Sequence, residues 1–188
     1  MRELVFFVEG QSEKELLQGL VPRLVPEDFP FRVVPFEGKS DLEGQLIRRM
    51  RGYRNPEACF IVMRDQDSGE CRQIKANIKN LCVQADRPNA VVRIACRETE
   101  SFYLADLAAV ESALGLSGLV RFQGQRNYRG PDYLGSPSKE LEKLTRGAYQ
   151  KVSGSRAIGP HLDLGNTRSN SFKVLIEAIC RLASDGSA

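Results

Sequence analysis

Four times within its first 115 residues the chain alternates a short apolar run of β-forming residues with a longer stretch of helical periodicity. The apolar runs are ELVFFV at 3–8, FRVVPF at 31–36, ACFIVM at 58–63 and NAVVRIAC at 89–96. Behind Ser12, the residues Leu16, Leu17, Leu20, Val21 and Leu24 recur at helical spacing. SDLEGQLIRRMRGY at 40–53, ECRQIKANIKNLCVQA at 70–85 and TESFYLADLAAVESAL at 99–114 continue the pattern. Such alternation predicts an α/β fold with a mainly parallel sheet, because each helix carries the chain back to the edge where the next strand starts. The unbroken LVFFV run suits a central strand covered on both faces. Ser12 and Glu15 read as a capping box, and Pro22 should bend or end that helix.

Past residue 115 the texture changes. Residues 116–168 are rich in Gly, Pro, Ser and Arg, with one helical piece near Ser138 to Thr145, and read as a loop-rich basic insertion or cap. SNSFKVLIEAICRL at 169–182 then restores a strong amphipathic helix before a polar tail, SDGSA. With 188 residues and 41% apolar content, one domain is expected: an α/β core over 1–115, the insertion over 116–168 and a C-terminal helix over 169–183. No run of about eighteen apolar residues occurs. The opening MRELVFFVEG lacks the small-residue cleavage pattern of an exported chain, so a cytoplasmic location without membrane contact is the expectation.

Composition limits the chemistry. Cys59, Cys71, Cys82, Cys96 and Cys180 stand singly, without a CxxC pair, which argues against a disulfide framework and against zinc. His161 is the one histidine, so a metal would have to be held by oxygen, which favours Mg²⁺ or Mn²⁺.

The acids supply such oxygens. In parallel α/β sheets ligands gather beyond the carboxyl ends of the strands. Glu9 closes the first apolar run, Asp65 and Asp67 in VMRDQDSGE follow the third, and Glu98 and Glu100 in ACRETES follow the fourth. Three separate segments would then deliver carboxylates to one edge, where their repulsion would drive protons onto some of them unless a cation lies between. Each acid also has a structural interpretation. Glu13 lies in a first helical turn, where the macrodipole favours a negative charge, and Asp67 or Ser68 could cap the next helix. Spacing does not choose between Glu98 and Glu100.

Basic residues concentrate elsewhere. Residues 1–120 carry 16 Lys/Arg against 18 Asp/Glu, whereas residues 121–173 carry 10 against 4. That asymmetry is consistent with a polyanionic partner and equally with a solvated basic surface. The clusters RRMRGYR and RFQGQRNYRG interleave arginines, Arg126 and Arg129 among them, with Tyr53 and Tyr128, a combination that grips phosphates and stacks on bases. The first cluster also matches a solvated helix face around Met50.

EG followed by Glu13 after the first strand, and DQD after a later one, resemble the Toprim domain, the metal-binding fold of topoisomerases, bacterial primases and OLD-type nucleases. RETESFYLAD and SNSFKVLIEAI extend the resemblance over nearly the whole chain, to the Toprim-like bacterial family called domain of unknown function 4276. SFYLAD departs from that family in lacking the tryptophan it commonly carries there, a change that touches packing more than metal binding.

The resemblance implies Mg²⁺-dependent (or Mn²⁺-dependent) phosphodiester hydrolysis. Glu9 would be a metal ligand or general acid/base. Glu13, Asp65 and Asp67 would be direct or water-mediated ligands, and Glu98 and Glu100 match the later acidic motif. Nucleic acid, DNA or RNA, would be the substrate. An AAA- or ABC-type ATPase in a phage-defence setting is an implied partner. Such a nuclease needs a cation near the scissile phosphate. Lys151 and His161 are the candidates in AYQKVSGSRAIGPHLDLG, while Arg64 and Arg97, beside Asp65 and Glu98, either contact phosphate or neutralise the acids. Two other classes compete: a non-catalytic module that binds nucleic acid or regulates an ATPase, and a phosphatase with Asp65 as nucleophile.

Overall fold

The first apolar run forms the inner strand of a four-stranded sheet. In the computed structural model, which describes residues 1–184, β1 (Glu3–Val8) lies between β2 (Phe31–Pro35) and β3 (Ala58–Asp65). β4 (Val91–Ala95) pairs with the far side of β3. All three pairings are parallel, with Val8 opposite Pro35 and Met63 and with Asp65 opposite Ala95. The polar tail read after residue 183 lies, beyond Ser184, outside the described residues.

Period-two alternation divides β1 between two cores. Leu4, Phe6 and Val8 face a layer made by α1 (Gln11–Leu20), α4 (Glu100–Leu104), α5 (Leu107–Leu114), α8 (Lys151–Ile158) and α9 (Asn170–Ser184). Val5 and Phe7 face α2 (Lys39–Arg51) and α3 (Cys71–Gln84), with Phe7 stacked on Phe60 at 5.7 Å. LVFFV is therefore apolar throughout because both of its faces are covered. No helix among the described residues is long and apolar enough to cross a membrane.

Sequence and structure differ in several places. α1 begins at Gln11 with Gly10 as its cap and no side-chain cap bond. Ser12 Oγ donates to Glu13 Oε1 at 2.9 Å, and Glu15 pairs with Arg156 at 2.7 Å, so the expected capping box does not form. The single helix expected over 99–114 breaks at Ala105. Asp106 leaves the helical conformation, at φ −139° and ψ 74°, and its carboxylate accepts from Ala109 N, starting a new helix. Pro22 ends α1 as expected, opening a 3₁₀ turn at Val21–Arg23.

The stretch 116–168 holds short pieces: α6 (Arg126–Arg129), α7 (Pro137–Leu144), α8 and several 3₁₀ turns. Its composition gave no sign of α8, whose buried stripe holds two small residues and one large apolar residue, Ile158. Gly154 and Ser155 are buried, and a Cβ on Gly154 would stand 2.4 Å from the Tyr149 ring.

α8 and the turn Gly159–His161 pack along α1. A Cβ on Gly159 would lie 2.8 Å from the Leu16 carbonyl oxygen, a backbone atom that cannot swing aside. Gly159→Ala should therefore push the C-terminal layer off α1 and cost about 1–3 kcal/mol. A lowered urea midpoint at unchanged slope would show it.

Candidate functional site

Strand order 2-1-3-4 has a switch point between β1 and β3. The chain leaves β1 for α1 on one face and leaves β3 for α3 on the other, opening a crevice between two neighbouring strand ends. Glu9 follows β1 there and Asp65 closes β3, and Asp65 N donates to Glu9 Oε2 at 3.3 Å.

Asp65 is the most enclosed acid at this edge apart from Glu13 and Glu100, at 4% exposure against 3% and 1%. Its Oδ1 accepts from both the backbone N (2.9 Å) and the hydroxyl (2.8 Å) of Thr99, which follows β4. Burial, the charges of Glu13 and Glu100, and that of Glu9 push the Asp65 carboxyl well above the ordinary carboxylate range against those bonds. Burial likewise raises Glu9, opposed by the Asp65 N–H and reinforced by Asp67 and Glu13. Glu13 lies close against Gly10, where a Cβ would stand 3.3 Å from Glu13 Oε2.

Glu100 enters from α4. Tyr149 donates to its Oε1 at 2.9 Å, while Oε2 is buried without a hydrogen-bond partner. Burial raises this carboxyl too, with Lys151 the chief opposing influence. Lys151 opens α8. Partial burial pulls its ammonium down, but Glu100, Asp65, Glu13 and Glu98 outweigh that and raise it. Lys151 thus senses the same group of acids.

The remaining candidates stand around this group. Asp67 Oδ2 pairs with Lys39 Nζ at 2.8 Å and lies 3.9 Å from Arg64. The cap of α3 is Glu70, accepting from Gln73 N at 2.7 Å, so Asp67 does not cap it. Arg64 is 6% exposed, donates to the Asp65 carbonyl at 2.9 Å and pairs with Glu43 on α2. Glu98 Oε2 accepts from Ser138 N at 2.7 Å, tying α7 to the loop after β4. Arg97 N–H donates to Gln66 Oε1, and the Arg97 carbonyl accepts from Asp67 N at 2.7 Å. Asp67 and Arg97 have φ of 54° and 62°, a left-handed conformation unusual outside glycine.

Asp67, Ser68, Arg97, Glu98 and Gly135 line a cleft of about 210 Å³. Gly135 also borders a cavity of about 450 Å³ that holds Arg126 and Arg129, so those arginines adjoin the acidic edge. His161 is not brought to the acids. Its turn packs beside Gly19 at the far end of α1, roughly 9 Å of helix rise from Glu13, and its ring lies 3.4 Å from Ser112 Oγ.

Thr99, Tyr149 and Lys39 were not singled out by sequence. Lys39 and Thr99 had a legible signal, since each follows a strand at this same edge. Tyr149 had none, because only tertiary packing brings it under Glu100.

Among the described residues no three His, Cys, Asp or Glu side chains converge tightly enough to cage an ion. The donor set nevertheless fits a hard divalent cation. Its atoms are all oxygen, buried acids repel one another across the crevice, and Glu100 Oε2 has no partner. Mg²⁺ keeps most of its waters and takes one or two carboxylates, which such a crevice could supply from Glu9 and Asp65, with Glu13 and Glu100 reached through water.

The chain matches the family described as Domain of unknown function (DUF4276) over residues 8–179 and belongs to that family. No protein of curated function matches it in sequence. Among solved structures it is similar to the C-terminal region of the Burkholderia pseudomallei OLD protein. The TM-score is 0.58 at 15% identity, with 96% of this chain and 98% of that one covered. The fold is therefore the Toprim-like α/β arrangement expected from the motifs.

Because burial raises Asp65 in the folded chain above its unfolded value near 4, the folded form holds a proton that the unfolded form releases as pH rises. Without divalent cations, Asp65 therefore costs stability progressively above about pH 4. Asp65→Asn should raise Tm at neutral pH, by roughly 2–4 °C for each kcal/mol relieved. Thermal melts in EDTA should show the gain over the parent chain vanishing below pH 4.

Proposed function

We propose that this chain is a divalent-metal-dependent nuclease of Toprim type, acting as the effector of an ATPase-associated anti-phage module. The observation that carries the proposal is the convergence of Glu9, Glu13, Asp65 and Glu100, from three separate segments, on the switch point of the sheet. Glu9, Asp65 and Glu100 are pushed above the ordinary carboxylate range, and acids so perturbed cluster at functional sites. The resemblance to the Toprim domain and membership of the family support the choice of chemistry and of an ATPase partner.

In this scheme Glu9 and Asp65 would hold Mg²⁺ or Mn²⁺, with Glu13, Glu100 and Asp67 contributing directly or through water. Such an ion, when bound, polarises a phosphodiester oxygen and lowers the pKa of a coordinated water. Glu9, partly open to solvent and with a raised pKa, is suited to accept or return a proton at its carboxylate. Lys151 stays protonated and offers its ammonium to the charge that builds on the phosphate. Arg97, Arg126 and Arg129 would steer the nucleic-acid backbone, while Arg64 keeps the end of β3 in place through Glu43 and the Asp65 carbonyl.

One observation favours a non-catalytic module instead: Asp67 is already paired with Lys39. Incubating the purified chain with plasmid DNA and with RNA in Mg²⁺ or Mn²⁺ decides between the two. Cleavage should appear with metal and fall by at least about 100-fold in Glu9→Gln and Asp65→Asn, with circular dichroism unchanged. Products that form equally in EDTA, or in both variants, would remove the nuclease assignment.

A further inference from the structure

A second charged surface lies away from the acidic crevice, along the open edge of β4. Arg2, Arg72, Lys75, Lys79, Arg93 and Arg181 line a groove of about 850 Å³ between α3 and α9, and among the described residues no acidic side chain lines it. Arg72, Lys75 and Lys79, at i, i+3 and i+7, share one face of α3 and span about 10 Å of helix. Among the described residues these three have no carboxylate within ion-pair distance. Burial, and after it the charge of Arg181, pull the Arg93 guanidinium below its ordinary value, against the opposing pull of Glu177.

Two features narrow what this groove can take. An edge strand ordinarily invites a peptide to add as a further strand. Here Lys79 Nζ donates to the Ala90 carbonyl at 2.8 Å and Arg93 donates to the Val92 carbonyl at 3.0 Å, so edge acceptors are already engaged. Bonds to carbonyls leave both cations with their full charge. The lining also contains no aromatic ring, so it offers no platform on which unpaired bases could stack. What remains is a row of cations about 10 Å long, which suits the stiff, regular line of phosphates that a duplex presents.

We infer that the β4 edge is a sequence-independent docking surface for the phosphate backbone of double-stranded nucleic acid. Arg72, in the first turn of α3, brings the groove up to the carboxyl edge of the sheet where the acids lie. As the place that holds a substrate, the groove rests on the nuclease assignment. As a duplex-binding surface it does not.

Fluorescence anisotropy in EDTA separates the two, since binding is then read without cleavage. The probes are 20-base-pair DNA duplexes of two unrelated sequences, a duplex RNA, a single strand of equal length and poly-glutamate. Replacing Arg72 and Lys75 together by Gln should weaken both DNA duplexes alike, by about tenfold or more. It should also lower the slope of log affinity against log salt by about 2. Lys14→Gln with Arg32→Gln, the same charge change on α1 and on β2 at the opposite edge of the sheet, should leave affinity within about twofold. Unchanged melting temperatures establish that both double variants fold.

Equal loss in the two double variants would overturn the proposal. So would a single strand bound more tightly than the duplex through Arg72 and Lys75, or poly-glutamate displacing the duplex at matched charge, which would assign the surface to an acidic protein. Duplex RNA bound as well as DNA supports the shared phosphate chemistry. Metal-dependent cleavage without groove-dependent binding would sink this inference alone, and the reverse result would sink the nuclease assignment alone.

Discussion

The pairing of β1 with β3 is the interaction on which the acidic edge depends. Its register sets Val8 opposite Met63, so the residue after β1 meets the residues that end β3, and the Asp65 N–H reaches the Glu9 carboxylate. Alternation alone does not enforce this register, since Val5 and Phe7 are as apolar as Leu4, Phe6 and Val8. The polar ends enforce it. Sliding β1 further along β3 would draw Glu9 away from the crevice, either into the apolar sheet or out past Asp65. The charged residues that flank LVFFV thus act both as register stops and as the chemistry of the site.

The C-terminal half builds the other wall. Thr99 holds Asp65, Tyr149 holds Glu100, Arg156 holds Glu15, and the backbone of Gly159 presses on that of Leu16. Residues 116–168 therefore do more than cover the sheet. They carry a phenol and an ammonium to acids presented by α1, β3 and α4, and Glu98 anchors α7 by accepting from Ser138 N. Basic charge in this segment answers negative charge on the other, so the asymmetry along the sequence becomes complementarity across the crevice.

The sheet was legible because its cause is local: four apolar runs, each followed by a helical period, allow few topologies. Glu9, Asp65 and the acids of RETES were legible for the same reason, since strand ends of a parallel sheet share an edge. What sequence could not show are features decided by tertiary packing. α8 buries Gly154 and Ser155 beside a single large apolar residue, Ile158, so its period is faint until α1 and Tyr149 supply the partners. Ser12 and Glu15 have the spacing of a capping box, yet Glu13 competes for the hydroxyl and Arg156 for the carboxylate. Glu98 and Glu100 are equivalent in sequence. They separate only when α4 begins, which swings Glu100 inward beneath Tyr149 and leaves Glu98 at the start of α7.

The acids whose titration the fold clearly perturbs divide into two groups, and the division follows their surroundings. Glu15, Asp41 and Glu57 are held below the ordinary carboxylate range, by Arg156, by the Glu37 N–H with Gln45, and by the terminal ammonium respectively. Each has found a partner, as a structural acid does. Glu9, Asp65 and Glu100 are pushed the other way, chiefly by burial. A chain selected for stability alone would place apolar residues at a strand end so enclosed, because a buried carboxyl in repulsive company opposes folding at neutral pH. Lys151 supplies one positive charge to four acids and so offsets only part of their repulsion. The unmatched negative charge concentrates at the sheet's switch point, where a parallel α/β fold gathers its ligands, and a cation drawn there would do the work of the missing partner.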